Sequence, residues 1–367
     1  MKIIVIRSKA TDSSVFKLVE TLSKNGHSVT LLVWDRQNNL NTKDYTFKIR
    51  KFGLKAPYDS FSAIFYLPFW WIYEFSFLLK NYCDIVHACD LDTLWPAIMI
   101  KSFKKVKLFY TIYDLYAYVI PNGVFQEIRD LIKYLVKCVE LNGIKFTDTL
   151  FLVDKLRYCE VKSAKIKNLE YIYNSPPDIY YDIYKSKNKL VLFYGGTISK
   201  ERGLIHILEA IQDMDDVKLV IAGSGDEEIV RKITSNEKTE YLGWIPYKDI
   251  LTKSLESDII FRFNDPNNLR TETASPNKLF EAMMCVKPII MNSEMKNSKI
   301  VKKEKCGIVV PYGDVNAIKK AIIKLKDPAL RNKLGLNGRK AYEKEYSWSI
   351  MEKRLLNCYN EVLNAGK

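Results

Sequence analysis

Leu190-Val191-Leu192-Phe193-Tyr194 runs directly into Gly195-Gly196-Thr197, and Ser199-Lys200-Glu201-Arg202-Gly203 leads on into a helical pattern over 205–212. Five apolar residues closed by glycine read as a strand covered on both faces, and the following helix completes a βα unit. The alternation continues in both directions. Toward the C-terminus, runs suited to strands lie at 218–222, 259–263, 288–291 and 307–309, with a helix over 276–284. Toward the N-terminus they lie at 3–6, 28–33, 85–87, 108–112 and 150–153, with a helix over 14–25. Two consecutive series predict an α/β fold of two Rossmann-like domains, each a parallel sheet with helices on both faces.

The length of 367 residues also suits two domains. Asn174-Ser175-Pro176-Pro177-Asp178 can continue neither a helix nor a central strand, and 186–189 is polar. The expected division is a first domain over 1–175, a second over 186–345 and an amphipathic closing helix within 346–367.

Composition removes several functions. A 47% hydrophobic content excludes a disordered chain. Seven scattered cysteines without a Cys-x-x-Cys pair, beside only three histidines, speak for free thiols in a reducing compartment and against a zinc site. The N-terminal apolar run ends at Arg7 and Lys9 and reads as a first strand rather than an export signal, so a cytoplasmic protein is expected. The net charge of +14 is spread along the chain without a recognisable reading module, which argues against nucleic acid. Its densest run, Lys101 to Lys107, suits either an anionic membrane or a solvated helix end. Between 61 and 77 the chain is almost wholly apolar and aromatic, including Phe69-Trp70-Trp71. Pro68, Glu74 and Ser76 argue against a span, leaving a membrane-interface helix or a buried helix.

Ser275-Pro276-Asn277-Lys278-Leu279-Phe280-Glu281 carries the strongest chemistry. Ser275 suits an N-cap and Pro276 the first helical position, so free backbone N–H groups and the helix dipole would favour an anion. Lys278 in that first turn opposes the dipole unless an anion is bound. Glu281, less than two turns on, suits the vicinal hydroxyls of a ribose. Gly195, Gly196 and Thr197 with Arg202, and Gly223 and Gly225 at the end of the next strand, add turns where a phosphate can approach backbone.

Taken together, these stretches resemble glycosyltransferase family 4 of the GT-B superfamily. The similarity includes Asn25-Gly26-His27, Asp84-Ile85-Val86-His87-Ala88-Cys89-Asp90, Asn174-Ser175-Pro176-Pro177-Asp178, the glycine turns, Leu242-Gly243-Trp244, and Ser275 to Met283. The resemblance implies retaining transfer of a sugar from a UDP or GDP sugar to a glycan or lipid-linked glycan, without an obligatory metal or other cofactor. It puts the donor on the second domain, the acceptor on the first, and a closing helix back on the first domain. It implies that Glu281 holds the ribose, that Arg202 contacts the diphosphate, and that Pro276, Asn277, Lys278 and Leu279 cradle phosphate and sugar. Where the family commonly carries a glutamate, a basic residue and a histidine, this chain has Thr273, Thr197 and Tyr113. Electrostatic stabilisation of the leaving diphosphate by Lys278 and Arg202 is the expected catalytic device. Asp114 or Asp90, at strand ends of the first domain beside Tyr113, is expected to orient the acceptor or else to cap loops. An inactive membrane-associated relative and a sugar-nucleotide 2-epimerase stay open as alternatives.

Overall fold

The computed structural model describes residues 1–10, 12–38, 40, 42, 45–57, 61–119, 125–181, 189–268 and 277–365. The chain divides into two compact units, Met1–Tyr173 with Glu352–Lys367, and Asn174–Met351. The join thus falls just before the proline pair, and 174–181 belongs to the second unit. Side chains explain this: Asn174 donates to Asn277 Oδ1 at 2.8 Å, Arg339 pairs with Asp178 at 2.7 Å, and Tyr342 donates to the Pro176 carbonyl at 2.9 Å.

The first unit holds a parallel sheet in the order β3-β2-β1-β4-β5-β6-β7. Its strands are β1 (Lys2–Arg7), β2 (Ser28–Trp34), β3 (Lys48–Phe52), β4 (Ile85–Cys89), β5 (Lys107–Ile112), β6 (Thr149–Leu152) and β7 (Leu169–Tyr171). The second holds β8 (Leu190–Gly195), β9 (Val217–Ala222), β10 (Thr239–Tyr241), β11 (Ile259–Arg262), β12 (Ile289–Asn292) and β13 (Gly307–Val310) in the order β10-β9-β8-β11-β12-β13. Every pairing is parallel. Both sheets reverse direction of growth beside their first strand, at β1/β4 and β8/β11, the places where open α/β sheets bind ligands.

Phe193 on β8, Phe261 on β11 and Phe263 just beyond β11 are buried in the second unit. Each such side chain contributes about 1.5–3 kcal/mol on leaving water. Three strands absent from the sequence reading, β3, β7 and β10, are all sheet edges. An edge strand covered less completely carries no continuous apolar run; Lys48-Ile49-Arg50-Lys51-Phe52 shows the consequence.

The closing helix, Trp348–Ala365, returns to the first unit from Glu352 onward. There the Tyr359 hydroxyl lies 2.6 Å from His87 Nδ1, and His87 Nε2 lies 2.6 Å from Thr111 Oγ1. Burial lowers the His87 pKa to about 3, so the imidazole is a neutral structural link at ordinary pH.

The aromatic segment is covered on one face only. A 3₁₀ turn, Phe61–Tyr66, leads into the helix Leu67–Lys80, which buries Trp70, Glu74 and Leu78 at four-residue spacing. The opposite face exposes Phe69 at 59% and Ile72 at 65%, and the preceding turn exposes Phe65 at 78%. Ser62–Lys80 is long and apolar enough to cross a membrane by length and composition, with 17% of it buried. Much of the neighbouring basic run is engaged within the protein. Lys104 Nζ donates to the carbonyls of Leu78, Leu79 and Asn81 at 2.7–3.1 Å, capping that helix, and Lys101 pairs with Asp148.

Candidate functional site

Three cations meet at the carboxyl ends of β8 and β11 in the second unit. Lys278 comes from the first turn of the helix Asn277–Met284, Arg262 ends β11, and Arg202 closes the 3₁₀ turn Lys200–Arg202. The Lys278 ammonium lies 5.2 Å from the centre of the Tyr194 ring. It also lies across Gly196, where a Cβ would stand 3.1 Å from Nζ. Glycine at 196, with φ +152°, therefore makes room for the lysine head group.

The charges tell on one another. Burial pushes Lys278 down to a pKa of about 8, with Arg262 and Arg202 pushing the same way and Glu281 opposing. Burial likewise lowers Arg262 to about 9, and Arg202 adds to it. Arg202 donates to Asn264 Oδ1, while its buried Nε has no partner among the described residues. Among those residues none of the three cations forms an ion pair. Lys278 and Arg262 face Glu281 while Arg202 also interacts with Glu201, so positive charge exceeds negative in a partly desolvated place. Such an arrangement is costly unless an anion binds there.

Glu281 is buried on the same helix, and its Oε1 accepts a hydrogen bond from the Tyr247 hydroxyl at 3.2 Å. Arg202 owes its position to a chain of contacts across three strand ends. Asn292 Oδ1 accepts from the Asn264 amide at 2.9 Å, and Asn292 Nδ2 donates to the Asn264 carbonyl at 3.0 Å and to Glu294 at 2.9 Å. The Tyr312 amide completes the chain at Glu294, 3.2 Å away. The register supplies the geometry: Arg262 pairs with Met291, which sets Asn264 beside Asn292.

Other sequence-predicted residues fall into distinct roles. Gly195 pairs with Ala222, so the two glycine loops leave the sheet side by side. A Cβ at Gly223 (φ +140°) would stand 1.9 Å from the Gly196 carbonyl oxygen, and one at Gly225 1.9 Å from that of Ile198. These glycines let loop pack on loop. Gly195 itself is buried against Ile250. Thr197 is exposed and its carbonyl accepts from the Tyr194 hydroxyl at 2.7 Å. Leu279 is fully buried in the core, leaving only its main chain for a ligand. The Asn277 side chain is engaged with Asn174. Thr273, Ser275 and Pro276 lie outside the described residues.

In the first unit, Arg7 pairs with Cys89 across β1 and β4, which brings its guanidinium to the next residue, Asp90. The other carboxylate oxygen of Asp90 accepts from the amides of Tyr113 at 2.6 Å and Asp114 at 3.0 Å. Burial raises the Asp90 pKa to about 7 against the pull of Arg7. Its φ of +68° is a conformation that side-chain-bearing residues seldom adopt. Asp90 is thus occupied in holding the β4 and β5 ends together. Asp114, with a half-exposed side chain 3.7 Å from Arg7, keeps its carboxylate open to solvent. Tyr113 lies half-buried over Arg7.

Arg262, Tyr247, Asn264 and Arg7 were not among the site residues expected from the sequence. An arginine inside the apolar run at 259–263 was the visible sign of the first, and the one that ends the N-terminal run the sign of the last. Nothing local in the sequence marks Tyr247.

Residues 182–341 match the family model described as glycosyl transferases group 1. Among curated relatives, the phosphatidyl-myo-inositol mannosyltransferase of Mycobacterium leprae is 26% identical over 190 residues, 50% of this chain and 49% of that protein. The chain thus spans about half the length of the curated relatives it matches. Among solved structures, the sucrose-phosphate synthase of Thermosynechococcus elongatus aligns over 100% of both chains with a TM-score of 0.78 at 17% identity. Anabaena HepE, solved with UDP and glucose, aligns over 98% of this chain and 100% of its own with a TM-score of 0.73 at 12% identity. The two-sheet architecture is therefore that of these GT-B proteins.

Proposed function

We propose that this chain, in which residues 182–341 belong to the group 1 glycosyl transferases on a GT-B architecture, transfers a sugar from a UDP or GDP sugar to a glycan or lipid-linked glycan with retention of configuration. The observation that carries the reading is the gathering of Arg202, Arg262 and Lys278 beside buried Glu281. As the bond from the anomeric carbon to the diphosphate breaks, the bonding pair goes to the phosphate oxygen. Cations already in place stabilise that charge without reorganising, and no obligatory metal or other cofactor is invoked. Glu281 takes the ribose. Asp114 on the first unit orients the acceptor hydroxyl, while Asp90 holds the Asp114 backbone in place.

The exposed Phe65, Phe69 and Ile72 favour peripheral contact with the cytoplasmic face of a membrane through 61–77, which suits a lipid-linked acceptor. The Mycobacterium leprae relative, a phosphatidyl-myo-inositol mannosyltransferase, supports this reading. Incubation of the protein with a panel of UDP and GDP sugars and a lipid-linked acceptor extract tests the reading. Transfer of one sugar to the lipid fraction, with the donor's anomeric configuration kept, is expected. Failure to consume any donor, or formation of an epimer without acceptor, would overturn it.

A further inference from the structure

Tyr194 stands on β8 immediately before the glycine pair, and it is 1% exposed. Three parts of the cation site meet on it. The Lys278 ammonium lies 5.2 Å from the ring centre, within reach of a cation–π contact. The hydroxyl donates to the Thr197 carbonyl at 2.7 Å, which ties the turn back onto its own strand. Arg262 lies close enough to interact with the same hydroxyl. With its proton given to Thr197, the phenol oxygen keeps its lone pairs for that guanidinium. Phe261 of β11 stacks on the tyrosine ring, with centroids 5.6 Å and planes 29° apart, and so fixes its orientation. A Cβ added at Gly196 would stand 3.6 Å from the tyrosine hydroxyl oxygen and 3.1 Å from Lys278 Nζ, so turn, phenol and ammonium share one confined space.

We propose that Tyr194 is the positioning residue of the cation cluster: its ring seats the Lys278 ammonium, and its hydroxyl, anchored on the Thr197 carbonyl, holds Arg262. This rests on the proposed binding of the donor diphosphate by that cluster. Long cationic side chains lose much rotamer freedom when they are fixed. A seat that orders them beforehand removes that cost from the binding step. A carboxylate in this place would hold the same two cations but cancel their charge. A neutral ring and phenol hold them and leave the charge for the phosphate.

The test is a pair of double-mutant cycles, read by calorimetric titration of the full chain with UDP and GDP. Tyr194→Phe removes the hydroxyl and keeps the ring, whereas Tyr194→Leu removes both, so the difference between them reads the ring alone. In the otherwise native chain, Tyr194→Phe weakens binding about threefold or more, and Tyr194→Leu weakens it about threefold or more beyond that. Combined with Lys278→Met, the difference between the two variants falls below about twofold. Combined with Arg262→Met, the loss in Tyr194→Phe falls below about twofold. Melting temperatures show which variants keep the fold; if Tyr194→Leu does not, the cycle of Tyr194→Phe with Arg262→Met decides alone. A tyrosine that only fills the core costs the same in every background. Such equal losses, or no loss in Tyr194→Phe, would overturn the inference while leaving the nucleotide site intact. Absence of binding by both UDP and GDP to the native chain would instead remove the nucleotide site, and the inference with it.

Discussion

The Lys278 ammonium stands in the first turn of its helix, where a positive charge opposes the helix dipole, and two guanidinium groups stand nearby. Its cost to the free protein is the reason to expect it to serve an anion. The pKa of about 8 gives this a pH signature. Below that value Lys278 is charged and attracts a diphosphate; as pH rises through it, the ammonium is lost while a nucleoside diphosphate sugar keeps its charge. Affinity for the donor should therefore fall as pH rises from 7 to 9.5, by up to about tenfold. Lys278→Arg should flatten the profile between pH 7 and 8.5, below the value of about 9 to which burial lowers Arg262, since a guanidinium holds its proton more tightly than an ammonium. A native profile flat over this range would show that Lys278 does not meet the phosphate. Lys278 and Glu281 could be singled out in the sequence because both fall in one short helical pattern, which the structure places at Asn277–Met284. Arg262 and Tyr247 reach the same place through strand register and helix packing, which no local pattern records.

At the scale of elements, the helix Leu67–Lys80 turns an acid inward between Trp70 and Leu78 and leaves Phe69 and Ile72 exposed. Both Glu74 carboxylate oxygens are buried without a hydrogen-bond partner among the described residues. Desolvation holds the Glu74 pKa well above its usual value, with nearby Asp92 adding to the effect. A raised carboxyl pKa favours the folded state fully below about pH 4.5 and loses that contribution as pH rises through the folded value. Glu74→Leu should thus stabilise the protein at pH 8, by about 1–3 kcal/mol. The gain should shrink toward pH 4.5. Melting curves at the two pH values check this, and a variant less stable at pH 8 would contradict it. The sequence showed the apolar character of this helix but could not show which face would be covered. The edge strands β3, β7 and β10 escaped notice for a related reason: their positions in the sheet ask little of their side chains.

Over the whole molecule, the two-sheet plan was the most legible feature, because central parallel strands must be apolar on both faces and must alternate with helices. The proline pair marks a break in the sequence, and in the structure Asn174 and Asp178 make their side-chain contacts within the second unit. The positive net charge said least about function. Several lysines that produce it cap helices or pair with carboxylates, whereas the proposed site draws on Arg202, Arg262 and Lys278. The central claim is that this cluster and Glu281 hold a nucleoside diphosphate. Isothermal calorimetry of UDP and GDP against the native chain, Arg202→Ala and Glu281→Ala tests it most directly. Binding of at least one nucleotide, weakened about tenfold or more in each variant, is the predicted result; no binding by the native chain, or the same affinity in both variants, would contradict it.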